Sequence, residues 1–173
     1  MTRIFISYAR VDWELAARLR EWVAADGHHT FLDTHAADGV QVGEPWEARL
    51  HERLLWADAL ISVVTTAYVA SVWCSAEIAV FRWERQGLLL PLNAELHVEH
   101  PLLRTVQGAD YARDPAAAVA AVLRSLRELD ARRSRGGPVQ GGRLHRPSRG
   151  GHAVRTGGRG FWPRCRGPTS SLD

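Results

Sequence analysis

The distribution of apolar and polar residues divides the first 130 positions into alternating strands and helices. Short apolar runs predict strands over residues 2–7, 29–32, 59–64 and 88–92, with a weaker fifth strand within 105–111. Between these runs, apolar residues recur every three or four positions, which predicts helices over 12–26, 44–56, 71–86 and 114–129. Strands that alternate with helices in this way form a parallel sheet that is covered by helices on both faces.

The order of the strands determines where a ligand binds. We expect a three-layer α/β fold with sheet order 2-1-3-4-5, in which the order reverses between the first and third strands. Ligands bind at such a switch point, outside the carboxyl ends of the strands. The loops at that point are SYARVD, residues 7–12, and TTAYVAS, residues 65–71. The second loop leads directly into the helix that is predicted to begin at Ser71.

That helix carries one carboxylate among apolar residues. Ser71 is a suitable N-cap, and Glu77 follows in the second turn. Trp73 lies four residues before Glu77 and Phe81 four residues after it, a spacing that stacks side chains along one helix face. We therefore expect Glu77 to be desolvated, with a raised pKa, and to be a candidate functional residue. The alternative is a glutamate at the border of the apolar face that reaches solvent.

Charge and composition change after Asp130. Residues 1–130 hold 12 Arg and 18 acidic residues, a net charge of −6, whereas residues 131–173 hold 10 Arg and one Asp, a net charge of +9. The second segment lacks apolar periodicity and is rich in Gly and Pro, which predicts a disordered tail after a domain that spans 1–130. One interpretation is a tail that binds nucleic acid. The absence of a regular repeat favours instead a solvated tail, or the remnant of a truncated or frame-shifted reading frame.

Several classes of protein and site are not expected. The chain has no run of about 18 apolar residues, as a membrane span requires, and its first apolar run is too short for a secretory signal. Cys74 and Cys165 lie far apart in unlike contexts, which predicts neither a disulfide framework nor a metal-ligand pair. The eight histidines show no metal-ligand spacing, and no Gly-rich phosphate loop follows a strand. We expect a cytoplasmic protein with no metal and no membrane partner.

Five short blocks of residues resemble those of bacterial TIR (Toll/interleukin-1 receptor) domains. They are FISYARVD at 5–12, FLD at 31–33, GEPW at 43–46, SVV at 62–64 and, the most specific, S-x-WC-x-x-E at 71–77. The blocks occur in the family's order on the α/β pattern described above, and the resemblance covers residues 1–130. It implies a flavodoxin-like, five-stranded parallel sheet.

The resemblance also implies an activity. Many TIR domains cleave NAD⁺ at the nicotinamide–ribose bond to give nicotinamide and ADP-ribose or a cyclic ADP-ribose, so NAD⁺ is a substrate and no cofactor is needed. Glu77 matches the family's catalytic glutamate, and the SYAR block places Tyr8 and Arg10 in the nucleotide pocket. The loop over 33–43 matches the assembly loop, through which TIR domains self-associate and complete the active site. A separate sensor protein and a role in signalling or anti-phage defence are further implications.

The chemistry of this bond agrees with a single carboxylate. The leaving nicotinamide removes the positive charge, so no general acid is needed, and one glutamate can stabilise an oxocarbenium-like transition state. In the nucleotide pocket, Arg10 is a candidate for the pyrophosphate and Tyr8 or Trp46 for stacking on a ring, with Asp33 as a further contact. Alternatives are open for three of them. Arg10 would instead pair with Asp12, Asp33 would end a strand in a turn, and Trp46 would pack at the start of its helix.

A second class of function is also open. Many TIR domains assemble with other TIR domains and transmit a signal without catalysis. Such an interaction module would use the loop over 33–43 and the second helix as its contact surface. Turnover of NAD⁺ distinguishes this module from an enzyme.

Overall fold

The computed structural model describes residues 1–32 and 46–136, except for the side chains of residues 46 and 47. The elements in chain order are β1 (Arg3–Ser7), α1 (Trp13–Ala25), β2 (His29–Leu32), α2 (Trp46–Trp56), β3 (Ala59–Val64), α3 (Thr66–Ala70), α4 (Val72–Val80), β4 (Leu88–Asn93), β5 (Ala109–Asp110) and α5 (Pro115–Ser134). Within these ranges, none of the helices combines the length and the apolar character that a membrane span requires.

The strands form one parallel sheet with the predicted order β2-β1-β3-β4-β5. Strand β1 lies between β2 and β3, with Phe5 opposite Phe31 on one side and Ser7 opposite Ser62 on the other. All six residues of β3 are buried. This burial explains why the β3 sequence is almost continuously apolar rather than alternating, because helices cover both faces of the sheet.

Alternate residues of β1 face the two helical layers. Ile4 and Ile6 belong to an apolar cluster that includes residues of α1 and α5, which therefore cover one face of the sheet. Ser7 points to the opposite face, where its hydroxyl meets side chains of α3 and α4. The buried members of the first cluster from α1 and α5 are Ala16, Leu19, Val23, Ala118, Val122, Leu126 and Leu129.

The region between β3 and β4 differs from the single helix predicted over 71–86. A separate short helix, α3, precedes it, because Thr65 Oγ1 accepts from the backbone N–H of Tyr68 and caps a new helical turn. Helix α4 ends at Val80 and continues as a π-helical turn, Phe81–Arg85. Gln86 ends this turn in the left-handed conformation, with a φ of 54°, and its backbone N–H donates to the Phe81 carbonyl over 2.8 Å. Gly87 follows in close packing, since a Cβ there would lie 2.7 Å from the Asp58 carbonyl oxygen.

Strand β4 continues one residue past its predicted end at Leu92. It stays in register through Pro91, which lies opposite Ser62, to Asn93. The short strand β5 pairs only with Leu92 and Asn93. Pro91 therefore lies where β4 has no partner on the β5 side, a position at which a missing N–H is tolerated.

Helix α5 begins as predicted, with Asp114 Oδ1 accepting from the backbone N–H of Ala117 over 2.9 Å. It continues to Ser134, four residues past the domain boundary expected at Asp130. The last turn is held to the sheet, since Arg133 forms an ion pair with Asp58. The expected tail beyond residue 136 lies outside the described residues and stays a prediction.

The buried carboxylate of Asp58, directly before β3, joins several elements. It accepts from the Arg3 backbone N–H at 3.1 Å, from Arg3 Nε at 3.0 Å and Nη2 at 2.9 Å, and from Arg85 Nη2 at 2.8 Å. Burial alone would raise the pKa of Asp58, but the hydrogen bonds from Arg3 and Arg133 outweigh it and hold the pKa well below its usual range. Asp58 is therefore ionised, and its carboxylate holds together the elements at the amino end of the sheet.

Replacing Asp58 with alanine should lower the free energy of unfolding by about 3 kcal/mol, because removing one member of a buried ion pair leaves its partners uncompensated. Urea unfolding at pH 7 measures the loss. The matched control is Asp110→Ala, which removes an exposed partner of Arg113 and should cost less than about 1 kcal/mol. Equal losses in the two variants would contradict a special role for Asp58.

The difference in the free energy of unfolding between wild type and Asp58→Ala should depend on pH. Because the folded-state pKa of Asp58 lies below the unfolded value of about 3.9, its contribution is present above that pH and is lost as the pH falls through the folded-state pKa. The difference between wild type and Asp58→Ala should therefore narrow between pH 7 and pH 3. A constant difference would show that the contribution of Asp58 does not depend on its charge.

Candidate active site

The carboxyl ends of β1 and β3 lie side by side where the strand order reverses, with Ser7 opposite Ser62. A hydrogen bond joins the two loops that follow these strands, since Thr65 Oγ1 donates to Asp12 Oδ2 over 2.7 Å. The same Thr65 oxygen accepts from the backbone N–H of Tyr68 over 3.1 Å. The loops predicted to flank the switch point therefore form one connected rim.

Helix α4 positions Glu77 as the sequence predicted. Ser71 Oγ accepts from the backbone N–H of Cys74 over 3.2 Å, which confirms Ser71 as the N-cap. Glu77 is buried, with 6% of its surface exposed. Of its predicted neighbours along the helix face, Phe81 is fully buried and Trp73 is half-buried. The expectation of a buried Glu77 is confirmed, and a glutamate that reaches solvent is not observed.

Glu77 has polar partners as well as apolar neighbours. The Ser7 hydroxyl donates to Glu77 Oε2 and lies 2.8 Å from the Tyr68 hydroxyl. Because Ser7 has one proton and gives it to the carboxylate, the Tyr68 hydroxyl donates to Ser7. Burial first, and then the neighbouring Cys74 and Glu77, raise the pKa of Tyr68 well above its usual value, so Tyr68 keeps its proton. A chain of hydrogen bonds therefore runs from Tyr68 through Ser7 to Glu77.

Sequence analysis singled out Glu77 but missed Ser7 and Tyr68. Two features of the sequence point to them. Ser7 is the polar end of an otherwise apolar strand, and Tyr68 lies in the other loop of the switch point. The raised pKa expected of Glu77 stays a prediction.

Thiol chemistry does not fit this site. Cys74 is buried, and burial followed by the nearby Glu77 raises the pKa of its thiol to about 12. A thiol with such a pKa stays protonated and is a poor nucleophile. Cys74 is thus a small buried residue. Among the residues described, no three His, Cys, Asp or Glu side chains are grouped so that they would hold a metal ion.

A second set of contacts holds α4 against the loop that follows β4. Ser75 Oγ donates to the Ser71 carbonyl over 3.1 Å and lies 3.1 Å from His100 Nε2. His100 Nδ1 accepts from the backbone N–H of Leu102 over 3.2 Å, so the proton of the neutral ring is on Nε2 and is donated to Ser75. The ring of His100 also meets the Tyr68 ring edge-on at 5.8 Å, and burial lowers the pKa of His100.

The other candidate residues are only partly placed by the structure. Tyr8 is half-buried directly after β1, with its ring centroid 6.1 Å from that of Trp13. Arg10 is exposed and begins the short 3-10 turn of residues Arg10–Asp12. Both therefore follow Ser7 on the rim near Glu77. Asp33 and the side chain of Trp46 lie outside the described residues, and the contacts predicted for all four stay predictions.

Comparison with known proteins identifies the family. The family model for the TIR domain matches residues 4–126, a span that includes Tyr8, Arg10 and Glu77. The chain belongs to the TIR domain family. The TIR resemblance deduced from five short blocks is therefore confirmed.

A solved structure of a TIR domain shows the same fold. The crystal structure of the TIR domain of the Toll-related receptor TRR-2 from Hydra magnipapillata matches with a TM-score of 0.62 and 14% identity, over 73% of this chain and 99% of that chain. The TIR domains of the activated Roq1 resistosome, which directly recognises the pathogen effector XopQ, match with a TM-score of 0.44 and 16% identity, over 79% of this chain and 76% of that chain. A search of curated proteins gives no match.

The buried, neutral His100 should make this TIR domain less stable in mild acid. The unfolded chain takes up a proton at His100 near pH 6.5, whereas the lowered folded-state pKa delays uptake in the native state, so stability falls as the pH drops through that window. His100→Asn keeps a side-chain acceptor for the Leu102 N–H but cannot titrate. Between pH 7.5 and 5.5, the free energy of unfolding of this variant should therefore decrease less than that of the wild type. Urea titrations should show a difference between the two decreases of up to about 1 kcal/mol.

The matched control for this measurement is His97→Asn. His97 is exposed, and its positive φ of 62° is one that asparagine tolerates. This variant should keep the wild-type dependence on pH. His100 is not the source of the pH dependence of stability if both variants lose that dependence or if both keep it.

Proposed function

We propose that this TIR domain is an NAD⁺ hydrolase that cleaves the nicotinamide–ribose bond, with Glu77 as the catalytic residue. The supporting observation is a buried Glu77 carboxylate at the switch point of the sheet, held by the Ser7 hydroxyl. Tyr8 and Arg10 follow Ser7 in the chain, in the loop at the same switch point. The products would be nicotinamide and ADP-ribose or a cyclic ADP-ribose. NAD⁺ is the substrate, and no cofactor is needed.

The reaction requires little of the protein beyond one oriented negative charge. The bond between ribose C1′ and the nicotinamide nitrogen breaks, and its electron pair leaves with the ring, which departs as neutral nicotinamide. Positive charge develops on the ribose, and the Glu77 carboxylate would stabilise it electrostatically. Water then adds to C1′ and loses a proton to give ADP-ribose, whereas a nucleophile within the same nucleotide gives a cyclic product. No general acid is required.

The remaining residues would position the carboxylate and the nucleotide. Ser7 and Tyr68 are positioning residues in this proposal, because their hydrogen bonds fix the direction of the Glu77 side chain. Arg10 is exposed and offers a planar guanidinium suited to the pyrophosphate. Tyr8 would stack on a ring of the substrate. Asp33 and Trp46 would add contacts in the same pocket.

The proposed activity would depend on self-association of the protein and on its place in the cell. Self-association through TIR–TIR contacts, with residues 33–43 in the interface, would complete the active site, and a separate sensor protein would trigger it. We propose a cytoplasmic, bacterial setting in signalling or anti-phage defence. The free thiol of Cys74 suits a reducing compartment.

One observation favours the alternative, a TIR interaction module without catalysis. Glu77 is almost fully buried, and its bond to Ser7 connects α4 to β1. A carboxylate in that position would stabilise the domain even if no substrate reached it. Such a protein would self-associate but would not consume NAD⁺.

Glu77→Gln should reduce release of nicotinamide from NAD⁺ by about 100-fold or more, because the amide keeps the shape of the side chain but lacks its charge. The assay uses the full chain at a concentration at which light scattering shows self-association. Glu84→Gln is the matched control, because it removes an exposed carboxylate seven residues away. The control should retain wild-type turnover.

The possible outcomes separate the two functions. Turnover that is lost in Glu77→Gln and kept in Glu84→Gln supports the hydrolase. Equal turnover in wild type and Glu77→Gln would rule out Glu77 as the catalytic residue. An assembled wild-type protein that releases no nicotinamide would instead support the interaction module.

Ser7→Ala should lower kcat by about tenfold with a smaller change in KM, because it frees the carboxylate to rotate without removing its charge. Ser7→Thr keeps a hydroxyl and should recover part of the loss. Melting temperatures of both variants, measured in parallel, correct for the fraction of folded enzyme. A purely structural Ser7 would lower the melting temperature while leaving kcat per folded molecule unchanged.

A further inference from the structure

We propose that the amino end of the sheet carries a second binding site, for a phosphate-bearing anion. It consists of Arg3, Arg85 and Arg133 around Asp58, and we name these four residues the arginine cluster. The cluster precedes β3, whereas Glu77 lies beyond its carboxyl end, and six strand residues separate the two ends by about 20 Å. The site is therefore distinct from the switch point and does not depend on the proposed hydrolase.

The cluster has a surplus of positive charge. Arg3, Arg85 and Arg133 each form an ion pair with the single carboxylate of Asp58, which leaves two positive charges uncompensated within these pairs. This surplus lies within residues 1–136, which hold 15 Arg and 18 acidic residues and so carry a net charge of −3. One arginine would neutralise Asp58, so three arginines from separate elements exceed what Asp58 alone requires. Their mutual repulsion would decrease when an anion binds.

The cluster also has a surplus of hydrogen-bond donors. A carboxylate has about four acceptor sites, and each guanidinium has about five N–H donors. Asp58 already accepts from the backbone, Nε and Nη2 of Arg3, from Arg85 Nη2 and from Arg133. The acceptor sites of Asp58 are thus filled while the three guanidiniums hold further donors.

Solvent reaches these guanidiniums. The side chains of Arg3, Arg85 and Arg133 are 36%, 32% and 39% exposed, so each of them is accessible from solution. A phosphate group presents several oxygens in a compact tetrahedron, and arginine binds such oxygens in pairs. The ligand class that suits the cluster is therefore a phosphate-bearing anion.

An aromatic side chain fixes one edge of the cluster and brings in a fourth cation. The guanidinium of Arg3 lies 5.4 Å from the ring centroid of Trp56, and that of Arg53 lies 5.7 Å from the same ring. Arg53 also lies over the ring of Phe31 at 5.4 Å. These cation–π contacts hold Arg3 and Arg53 in place before a ligand arrives, which reduces the entropy lost on binding.

Trp56 provides a local probe of binding. We would titrate the full chain with inorganic pyrophosphate at constant ionic strength and follow the indole N–H resonance of Trp56 by NMR, assigned with Trp56→Phe. A saturable shift is expected. Arg133→Gln should weaken the affinity by about tenfold, because one charge-assisted contact is lost, and Arg133→Lys should recover only part of it.

The matched control is Arg155→Gln, which removes the same charge from the Arg-rich segment after residue 136. It should leave the affinity of the cluster unchanged. Equal weakening in Arg133→Gln and Arg155→Gln, or no saturable shift of Trp56 in the wild type, would overturn the proposal. Melting curves confirm that Arg133→Gln is folded, and NAD⁺ plays no part in the assay.

A second experiment identifies the source of the phosphate. The same proteins are sedimented with phosphatidylcholine vesicles that contain or lack phosphatidic acid. Sedimentation of wild type and Arg155→Gln, but not of Arg133→Gln, with the acidic vesicles assigns the site to a lipid headgroup. A protein that binds pyrophosphate and stays in the supernatant assigns it to a soluble phosphate. Either result supports the phosphate site, provided that the Trp56 shift depends on Arg133.

Discussion

The pairing of β1 with β3 is the constraint on which both ends of this TIR domain depend. At the amino end, Arg3 of β1 binds Asp58, directly before β3. At the carboxyl end, Ser7 lies opposite Ser62 and donates to Glu77. A slip of one residue in this register would turn every β1 side chain to the opposite face. Ser7 would then face α1 and α5, and its bond to Glu77 would be lost.

Apolar burial on both faces fixes that register. Ile4, Phe5 and Ile6 have no exposed surface, and they point alternately to the two helical layers. Moving any of them by one position would place its side chain against the wrong layer. The polar contacts at the ends of β1 are too few to determine the pairing by themselves. The pairing of the strands instead positions these polar contacts, because the apolar centre of β1 determines where its ends lie.

The sequence predicted those features that depend on residues close together in the chain. Strands β2 and β3 have the predicted bounds, and Ser71 caps α4, because each follows from a few adjacent residues. The change from α4 to a π-helical turn at Phe81 was not predicted, because the pattern of apolar residues indicated one continuous helix over 71–86. The burial of Glu77 was predicted from helical spacing. Its bond to Ser7 was not, because 70 positions separate the two residues and only the folded sheet brings them together.

Asp58 and Glu77 are the two buried carboxylates among the residues that the structure describes, and they differ in their hydrogen-bond partners. Three guanidiniums surround Asp58, and the pKa far below its usual range reflects a charge that is fully used within the fold. Glu77 accepts from the neutral hydroxyl of Ser7, which Tyr68 in turn orients. Glu77 also lies at the switch point of the sheet, beyond the carboxyl end of β3, whereas Asp58 directly precedes β3 at the opposite end. Because ligands of parallel α/β sheets bind beyond the carboxyl ends of the strands, Glu77 rather than Asp58 is the candidate for catalysis.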